Sequence, residues 1–138
     1  MRRNPDEYNS SMLRAPLLGQ TIGTDATDFA VQETTEPGDS GPVAPLHLAD
    51  DEAFYVLDGR LRIRLGDEEI EVPAGACALV PKGTPHTYWN PDATPVRYLL
   101  VLPPRLRRLV DAFDADPDRP EPEMRALFEA HDSELVVR

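Results

Sequence analysis

Cysteine, lysine and long apolar runs are all scarce in this chain. Cys77 is the single cysteine, which excludes an internal disulfide and a zinc site built from several cysteines. No apolar run approaches the ~18 residues that span a bilayer. The first residues also lack the apolar core of a signal peptide. We therefore expect a cytoplasmic protein that does not enter a membrane.

Positive charge is also in short supply. The 138 residues include 14 basic and 25 acidic side chains, which leaves a net charge of −11. Such a surface repels phosphate backbones and anionic lipid headgroups, so we expect neither a nucleic acid nor a membrane as partner. The basic residues are almost all arginine, and together with the many Ala, Pro and Asp residues this suggests a GC-rich bacterial genome. With 41% hydrophobic residues, the chain can bury the core of one domain.

Apolar and polar residues alternate with period two from about Thr21 to Leu102, and turn residues recur every few positions. This pattern is typical of a β-sandwich or β-barrel. Strands are predicted at residues 27–34, 43–48, 54–57, 61–65, 70–72, 76–80, 86–90 and 95–102. Asp58-Gly59 predicts a tight β-hairpin, and Gly66-Asp67 predicts the next corner. Cys77 lies in the apolar run 76–80, so we expect a buried thiol.

The periodicity changes after Pro103. Apolar residues then recur at helical spacing from Leu106 to Phe113 and again from Met124 to His131, which predicts two short helices on the outside of the barrel. His131 is interpreted as a residue at a helix end rather than as a ligand. Residues 134–137 are predicted to form an edge strand. The expected division is residues 1–20 as an N-terminal segment, 21–102 as the barrel and 103–138 as a helical extension.

Two of the three histidines, His47 and His86, fall on predicted strands. Because alternate side chains of a strand share a face, an inward His86 brings Tyr88 and Asn90 inward, and an inward Glu52 brings Phe54 inward. An imidazole and a carboxylate inside an apolar barrel must be neutralised, paired or bound to a metal. Nitrogen and oxygen ligands of this kind suit Fe, Mn, Ni, Cu or Zn.

The stretch from Gly75 to Asn90 reads GACALVPKGTPHTYWN and matches, without a gap, the second cupin motif, G-x5-P-x-G-x2-H-x3-N. The stretch from Gly41 to Gly59 is similar to the first cupin motif, G-x5-H-x-H-x3-4-E-x6-G, but one histidine is missing and the turn before Glu52 is short. Over about residues 21–102 the chain therefore resembles the cupin family. The resemblance implies an all-β fold, a cupin jelly-roll β-barrel, followed by the two short C-terminal α-helices that the periodicity predicts.

The incomplete first motif allows two alignments. His47 takes the first histidine position and Ala49 replaces the second, or His47 takes the second position and Pro45 replaces the first. Either way the resemblance implies a metal site reduced to His47, Glu52 and His86. Two histidines and a carboxylate can still hold a divalent metal.

Three functions remain open at this point. The first is a metal-dependent, dioxygenase-like oxidoreductase that binds a small organic molecule in the barrel and uses no organic cofactor. The second is a non-catalytic cupin that binds a small ligand and has lost its metal. The third is a structural or interaction protein whose barrel is only a dimerisation scaffold. In the first two hypotheses the pocket is expected to be lined by Phe54, Tyr88, Asn90 and Tyr98. The resemblance also implies a homodimer.

Overall fold

The computed structural model describes residues 13, 15–24, 26–38, 46–48, 50–116, 118–130 and 133–135. For residues 46–48, 105, 110, 113, 114 and 133–135, only the backbone is described. The interpretation of His131 lies outside the described residues. The strands and helices found are β1 (Thr21–Ile22), β2 (Ala30–Glu36), β3 (Leu46–Leu48), β4 (Glu52–Asp58), β5 (Arg60–Leu65), β6 (Glu68–Pro73), β7 (Cys77–Val80), β8 (His86–Trp89), β9 (Val96–Leu102), α1 (Pro104–Ala115), α2 (Glu121–Ala130) and β10 (Ser133–Leu135).

The strands form two sheets that face each other. The first sheet has the strand order β1-β2-β9-β4-β7, and the second has the order β10-β3-β8-β5-β6. The pairings between these strands are antiparallel. Between β2 and β9 every connection crosses from one sheet to the other, except the one from β5 to β6. The all-β jelly-roll prediction is therefore confirmed.

The tight hairpin lies at a different turn from the one the sequence predicts. Asp58-Gly59 is a corner between the sheets, because β4 pairs with β7 and β9 whereas β5 pairs with β6 and β8. Gly59 has a φ of 85°, and a Cβ there would lie 3.1 Å from the Cα of Val96, so glycine permits both the turn and the close approach. The hairpin prediction at Asp58-Gly59 is wrong, since a turn preference does not specify which strands pair. The two-residue hairpin is Gly66-Asp67, where Leu65 pairs with Glu68.

The core lies between the inner faces of the two sheets and extends under the helices. Its strand residues are Phe54, Val56, Leu61, Ile63, Val72, Ala78, Val80, Val96, Tyr98, Leu100 and Leu102. Leu106 and Leu109 of α1, with Met124 and Phe128 of α2, belong to the same cluster. Full burial of one large aliphatic or aromatic side chain contributes about 1.5–3 kcal/mol, so these four residues hold the helices on the barrel.

Both predicted helices are confirmed. Helix α1 begins at Pro104, a residue that suits the first helical position because its missing amide proton has no partner there in any case. Glu121 and Glu123 lie in the first turn of α2, where negative charge is stabilised by the helix dipole. Within the part of the chain that the structure describes, no helix is long and apolar enough to cross a membrane.

The edge strand predicted at residues 134–137 is found over Ser133–Leu135, the part of that region for which the backbone is described. It pairs with β3 at the edge of the second sheet and sets Glu134 opposite His47. Residues 133–135 are thereby attached to the strand that carries His47.

Strand β7 exposes half of its apolar side chains. Ala78 and Val80 point into the core, whereas Cys77 and Leu79 are exposed. The expected buried thiol is therefore wrong: apolar residues also occupy the outward positions of β7, which hides the alternation. We call the exposed residues Phe29, Tyr55 and Leu79, which are 61%, 38% and 65% exposed, the outer apolar patch.

Candidate functional site

Glu52 and His86 meet between the two sheets, and each is the first residue of its strand. Glu52 begins β4 and pairs with Val80, while His86 begins β8 and pairs with Leu65. Their side chains are 4% and 1% exposed, as expected for inward positions, and Nε2 of His86 lies 3.6 Å from Oε2 of Glu52. An ionisable pair thus sits inside the barrel, buried between the sheets.

The orientation of the His86 ring is set by the turn before β8. Its Nδ1 lies 2.9 Å from the carbonyl oxygen of Thr84, and because a carbonyl can only accept, Nδ1 donates. In the neutral ring, Nε2 then carries a lone pair that faces the Glu52 carboxylate. Nε2 is buried and has no hydrogen-bond partner among the described residues. Two electron-rich atoms face each other here, an arrangement that a cation between them, a proton or a metal, would stabilise.

The pKa of His86 is set by two opposing effects. Burial disfavours the charged imidazolium and lowers the pKa, but the Glu52 carboxylate and the Thr84 carbonyl raise it. The net result is a pKa of His86 above its ordinary value. The pair therefore attracts positive charge in the absence of a metal.

The donor set fits a divalent metal in chemistry and spacing. A metal lies about 2.0–2.2 Å from histidine nitrogen or carboxylate oxygen, so atoms 3.6 Å apart can both reach one ion. Among the described side chains there is no group of three metal-ligating residues. The side chain of His47 lies outside the described residues, and the backbone register sets Leu46 opposite His86. The role of His47 stays a prediction.

Three aromatic rings fill the barrel interior. Phe54 lies 4.9 Å from Tyr88 and 6.0 Å from Tyr98, measured between ring centroids, and Tyr88 lies 6.3 Å from Tyr98. The hydroxyl of Tyr98 donates to Oε1 of Glu36 at 3.0 Å. Burial, with smaller contributions from Tyr88 and Glu36, raises the pKa of Tyr98 well above its ordinary value. These rings give the interior a low-dielectric wall.

Asn90 is buried and its amide is engaged by the backbone. Its Nδ2 donates to the carbonyl oxygens of Pro37 at 3.0 Å, Thr94 at 2.8 Å and Glu36 at 3.4 Å, and its Oδ1 accepts from the amide of Asp92 at 3.0 Å. The side chain thus joins the end of β2 to the loop between β8 and β9. Its pocket-lining role stays a prediction.

A groove of about 340 Å³ reaches Glu52 from the outer face of the first sheet. Its walls include the apolar residues Leu79 and Val101, and the acidic residues Asp28, Asp50 and Asp51 also line it. The four residues expected to line the pocket do not line this groove; Phe54, Tyr98 and Asn90 are buried inside the barrel, and Tyr88 packs against its core.

Sequence reasoning missed Thr84 and Glu36. Thr84 lies two residues before His86 in the turn of the second motif, but its contribution is a backbone carbonyl, which carries no signal of its own. Glu36 lies beyond the strand predicted at residues 27–34, and its pairing with the buried Val96 is seen only in the structure.

The chain is thus a two-sheet jelly-roll β-barrel in which a histidine and a glutamate meet between the sheets. Residues 31–102, just over half of the chain, match the family described as the Cupin domain. The chain belongs to the cupin family.

Similar proteins include one enzyme and several cupin structures. The chain is 42% identical over 53 residues to quercetin 2,3-dioxygenase of Bacillus subtilis strain 168, which covers 37% of this chain and 16% of that protein. It is similar to a Salmonella typhimurium LT2 structure described as ethanolamine utilization protein Q, with 28% identity, TM-score 0.51 and 62% and 67% of the two chains covered. An RmlC-like cupin with a double-stranded β-helix fold from Methanocaldococcus jannaschii matches at TM-score 0.53 and 13% identity, covering 64% and 80%.

Proposed function

We propose that this cupin binds one divalent metal ion through Glu52 and His86, with His47 as a further ligand, and uses it on a small organic molecule. The proposal is carried by one observation. The buried Nε2 of His86 has no hydrogen-bond partner among the described residues and lies 3.6 Å from a buried carboxylate oxygen. Native proteins rarely leave such an atom without a partner unless it has a functional task.

Each residue of the site has a distinct part in this proposal. Glu52 supplies negative charge, and the Thr84 carbonyl holds His86 in the tautomer that leaves Nε2 free to bind. Phe54, Tyr88 and Tyr98 exclude water from the interior. A metal bound there would supply Lewis acidity or redox chemistry. A dioxygenase-like oxidoreductase is supported by the similarity to quercetin 2,3-dioxygenase over 53 residues.

The groove is the route by which we propose that the ligand reaches Glu52. Its walls are apolar at Leu79 and Val101, and three aspartates contribute carboxylates. Negative potential at a mouth of this kind disfavours anions, so the expected ligand is an apolar molecule that is neutral or positively charged.

The decisive test is the metal content of the protein purified without chelator or nickel resin. We expect close to one equivalent of metal in the wild-type protein and none in His86→Ala. Glu69→Gln is the matched control for general charge effects, because Glu69 is exposed on β6 and distant in sequence from the pair. It is expected to retain the wild-type content.

The proposal would be overturned by wild-type protein that stays metal-free after incubation with Fe(II), Mn(II) and Zn(II). Equal metal content in wild type and His86→Ala would also contradict it, since the ion would then be held elsewhere.

A second candidate is a non-catalytic cupin that binds a small ligand without metal. It is favoured by the absence of a third ligating side chain among the residues whose side chains are described. This function predicts that a ligand raises the melting temperature of metal-free protein and is recovered unchanged. Consumption of that ligand, measured by mass spectrometry, would contradict it.

We further propose that two copies of the chain pair. The support is the outer apolar patch, since exposed apolar residues grouped on one side of a sheet are typical of interfaces. Because Phe29 and Leu79 also line the groove, pairing would place the groove at the edge of the interface between the two copies. Light scattering should give about twice the chain mass, and Leu79→Arg should reduce it to 15.3 kDa. A wild-type protein of the single-chain mass would contradict this pairing.

A further inference from the structure

Two turns carry Glu52 and His86 into place, and a hydrogen bond joins these turns. Asp51 ends the turn before β4, directly before Glu52, while Lys82 lies in the turn between β7 and β8 that leads to His86. Oδ1 of Asp51 accepts a hydrogen bond from the backbone amide of Lys82 at 2.8 Å. The two residues are 31 positions apart in the chain, so this contact is specific to the folded protein.

The same turn also holds the imidazole. The amide of Thr84 donates to the carbonyl of Pro81 at 3.3 Å, which closes the turn on itself. The carbonyl of Thr84 then accepts from Nδ1 of His86. A continuous path of short contacts therefore runs from the residue before Glu52 to the ring of His86.

No backbone ladder fixes the distance between the two ligands. Glu52 is in β4 of the first sheet and His86 is in β8 of the second, and these strands do not pair. Their separation depends on side-chain packing between the sheets and on contacts between the turns. The bond from Asp51 is one such contact, and it acts within one residue of Glu52.

We propose that Asp51 is a positioning residue for the pair, acting through the Lys82 amide rather than as a ligand. The inference rests on the proposed metal-binding function for its consequence. Groups that orient metal ligands typically change affinity by about 10–100-fold when they are removed. Loss of this bond should therefore weaken metal binding without abolishing it.

The test compares three proteins: wild type, Asp51→Ala and Asp51→Asn. The affinity for Co(II) is measured by competition with a chelating dye. We expect Asp51→Ala to bind about tenfold more weakly. Asp51→Asn should stay close to wild type, because its amide oxygen can accept from Lys82 in the same position while the negative charge is gone.

A second measurement needs no metal. The tautomer of His86 is read from the ring nitrogen shifts in NMR spectra of the metal-free proteins. At a pH above the folded-state pKa of His86, where the ring is neutral, wild type and Asp51→Asn should show the proton on Nδ1 alone, whereas Asp51→Ala should show a mixture. Melting temperatures check that each variant folds, and Asp51→Ser replaces Asp51→Ala if that variant unfolds.

Each outcome decides the inference. Wild-type behaviour of Asp51→Ala in both measurements overturns it. Equal loss of affinity in Asp51→Ala and Asp51→Asn, with one tautomer in both, also overturns it, because the charge of Asp51 would then act directly. If wild-type protein binds no Co(II), the proposed function fails, and the tautomer of Asp51→Ala alone decides the role of Asp51.

Discussion

His86 and Asn90 lie at the two ends of one short inner segment, but their side-chain polar atoms differ in hydrogen bonding. Both residues are almost fully buried, at 2% and 1% exposure. Asn90 donates to three carbonyls and accepts from one amide. Nε2 of His86 has no hydrogen-bond partner among the described residues and faces a carboxylate at 3.6 Å.

The difference assigns Asn90 a role in the fold and His86 a role in binding. The amide of Asn90 is hydrogen-bonded to four backbone groups and joins the loops, which is a structural role. A buried ring nitrogen without a partner costs folding free energy, and the protein tolerates that cost where a ligand or a proton can occupy the site. Changing each residue should therefore affect a different property.

The largest expected effect is on stability, from Asn90→Ala. It removes four hydrogen bonds and takes the Asn90 donor from carbonyls of the β2 end and the β8–β9 loop. We expect a loss of about 2–4 kcal/mol in the free energy of unfolding. Urea unfolding of the metal-free protein measures it.

Asn90→Asp is the matched control for this variant, because it keeps the shape but turns the donor into an acceptor that faces carbonyl oxygens. It should destabilise at least as much as Asn90→Ala, and the folded fraction of both should retain wild-type metal affinity. If folded Asn90→Ala lost its metal, Asn90 would also be needed for metal binding, which would contradict the separate roles of the two residues.

An intermediate effect is expected from Glu52→Gln in metal-free protein. The change removes the carboxylate that raises the pKa of His86, while burial, which lowers it, remains. The pKa of His86, followed by NMR titration, should therefore fall. Glu71→Gln serves as a control on an exposed carboxylate.

The sign of the associated stability change follows from linkage. In the wild-type protein the pKa of His86 in the folded state is above its ordinary value of about 6.5. Its contribution to stability is complete below that ordinary value and is lost as the pH rises through the folded-state pKa. Glu52→Gln should remove this dependence, and an unchanged pH profile would show that Glu52 does not interact with the ring.

The smallest effect on stability is expected for polar groups that are hydrogen-bonded but exposed to solvent. Arg60 donates to both carboxylate oxygens of Asp92 at 2.8 Å and also contacts Glu71. The hydrogen bond from Arg60 lowers the pKa of Asp92 below its ordinary value. The stabilisation is present above the ordinary aspartate pKa and is lost as the pH falls through the folded-state pKa.

Arg60→Ala should therefore produce a small loss of stability at neutral pH that disappears in acid, visible in melting temperatures. Arg62→Ala, on the same strand and also exposed, is the control. A loss as large as that of Asn90→Ala would contradict the view that exposed ion pairs contribute little.

Much of the barrel could be predicted from alternation alone. Period two placed Glu52 and Phe54 on one buried face, and helical spacing found the buried Leu106, Leu109 and Phe128. The alternation failed at Cys77 because its outward neighbours are apolar too. A strand with two apolar faces carries no signal for its orientation.

Contacts between distant turns could not be predicted from local patterns. The hydrogen bond from Lys82 to Asp51 and the bonds from Asn90 to Glu36 and Pro37 depend on which loops the fold brings together. The turn at Asp58-Gly59 shows the same limit, since positive φ suits a corner as well as a hairpin. Residue type indicated which residues were candidates for a turn or a site, but the residues that they contact depend on the topology of the fold.

The outward position of Cys77 has a practical consequence for purified protein. A lone exposed thiol can form a disulfide only with another molecule, so air oxidation will join two chains covalently. Such a species has the mass of the proposed pair but a different origin. Cys77→Ser, or a reducing agent, separates the two, and the same thiol accepts one maleimide dye per chain at a known position beside Tyr55.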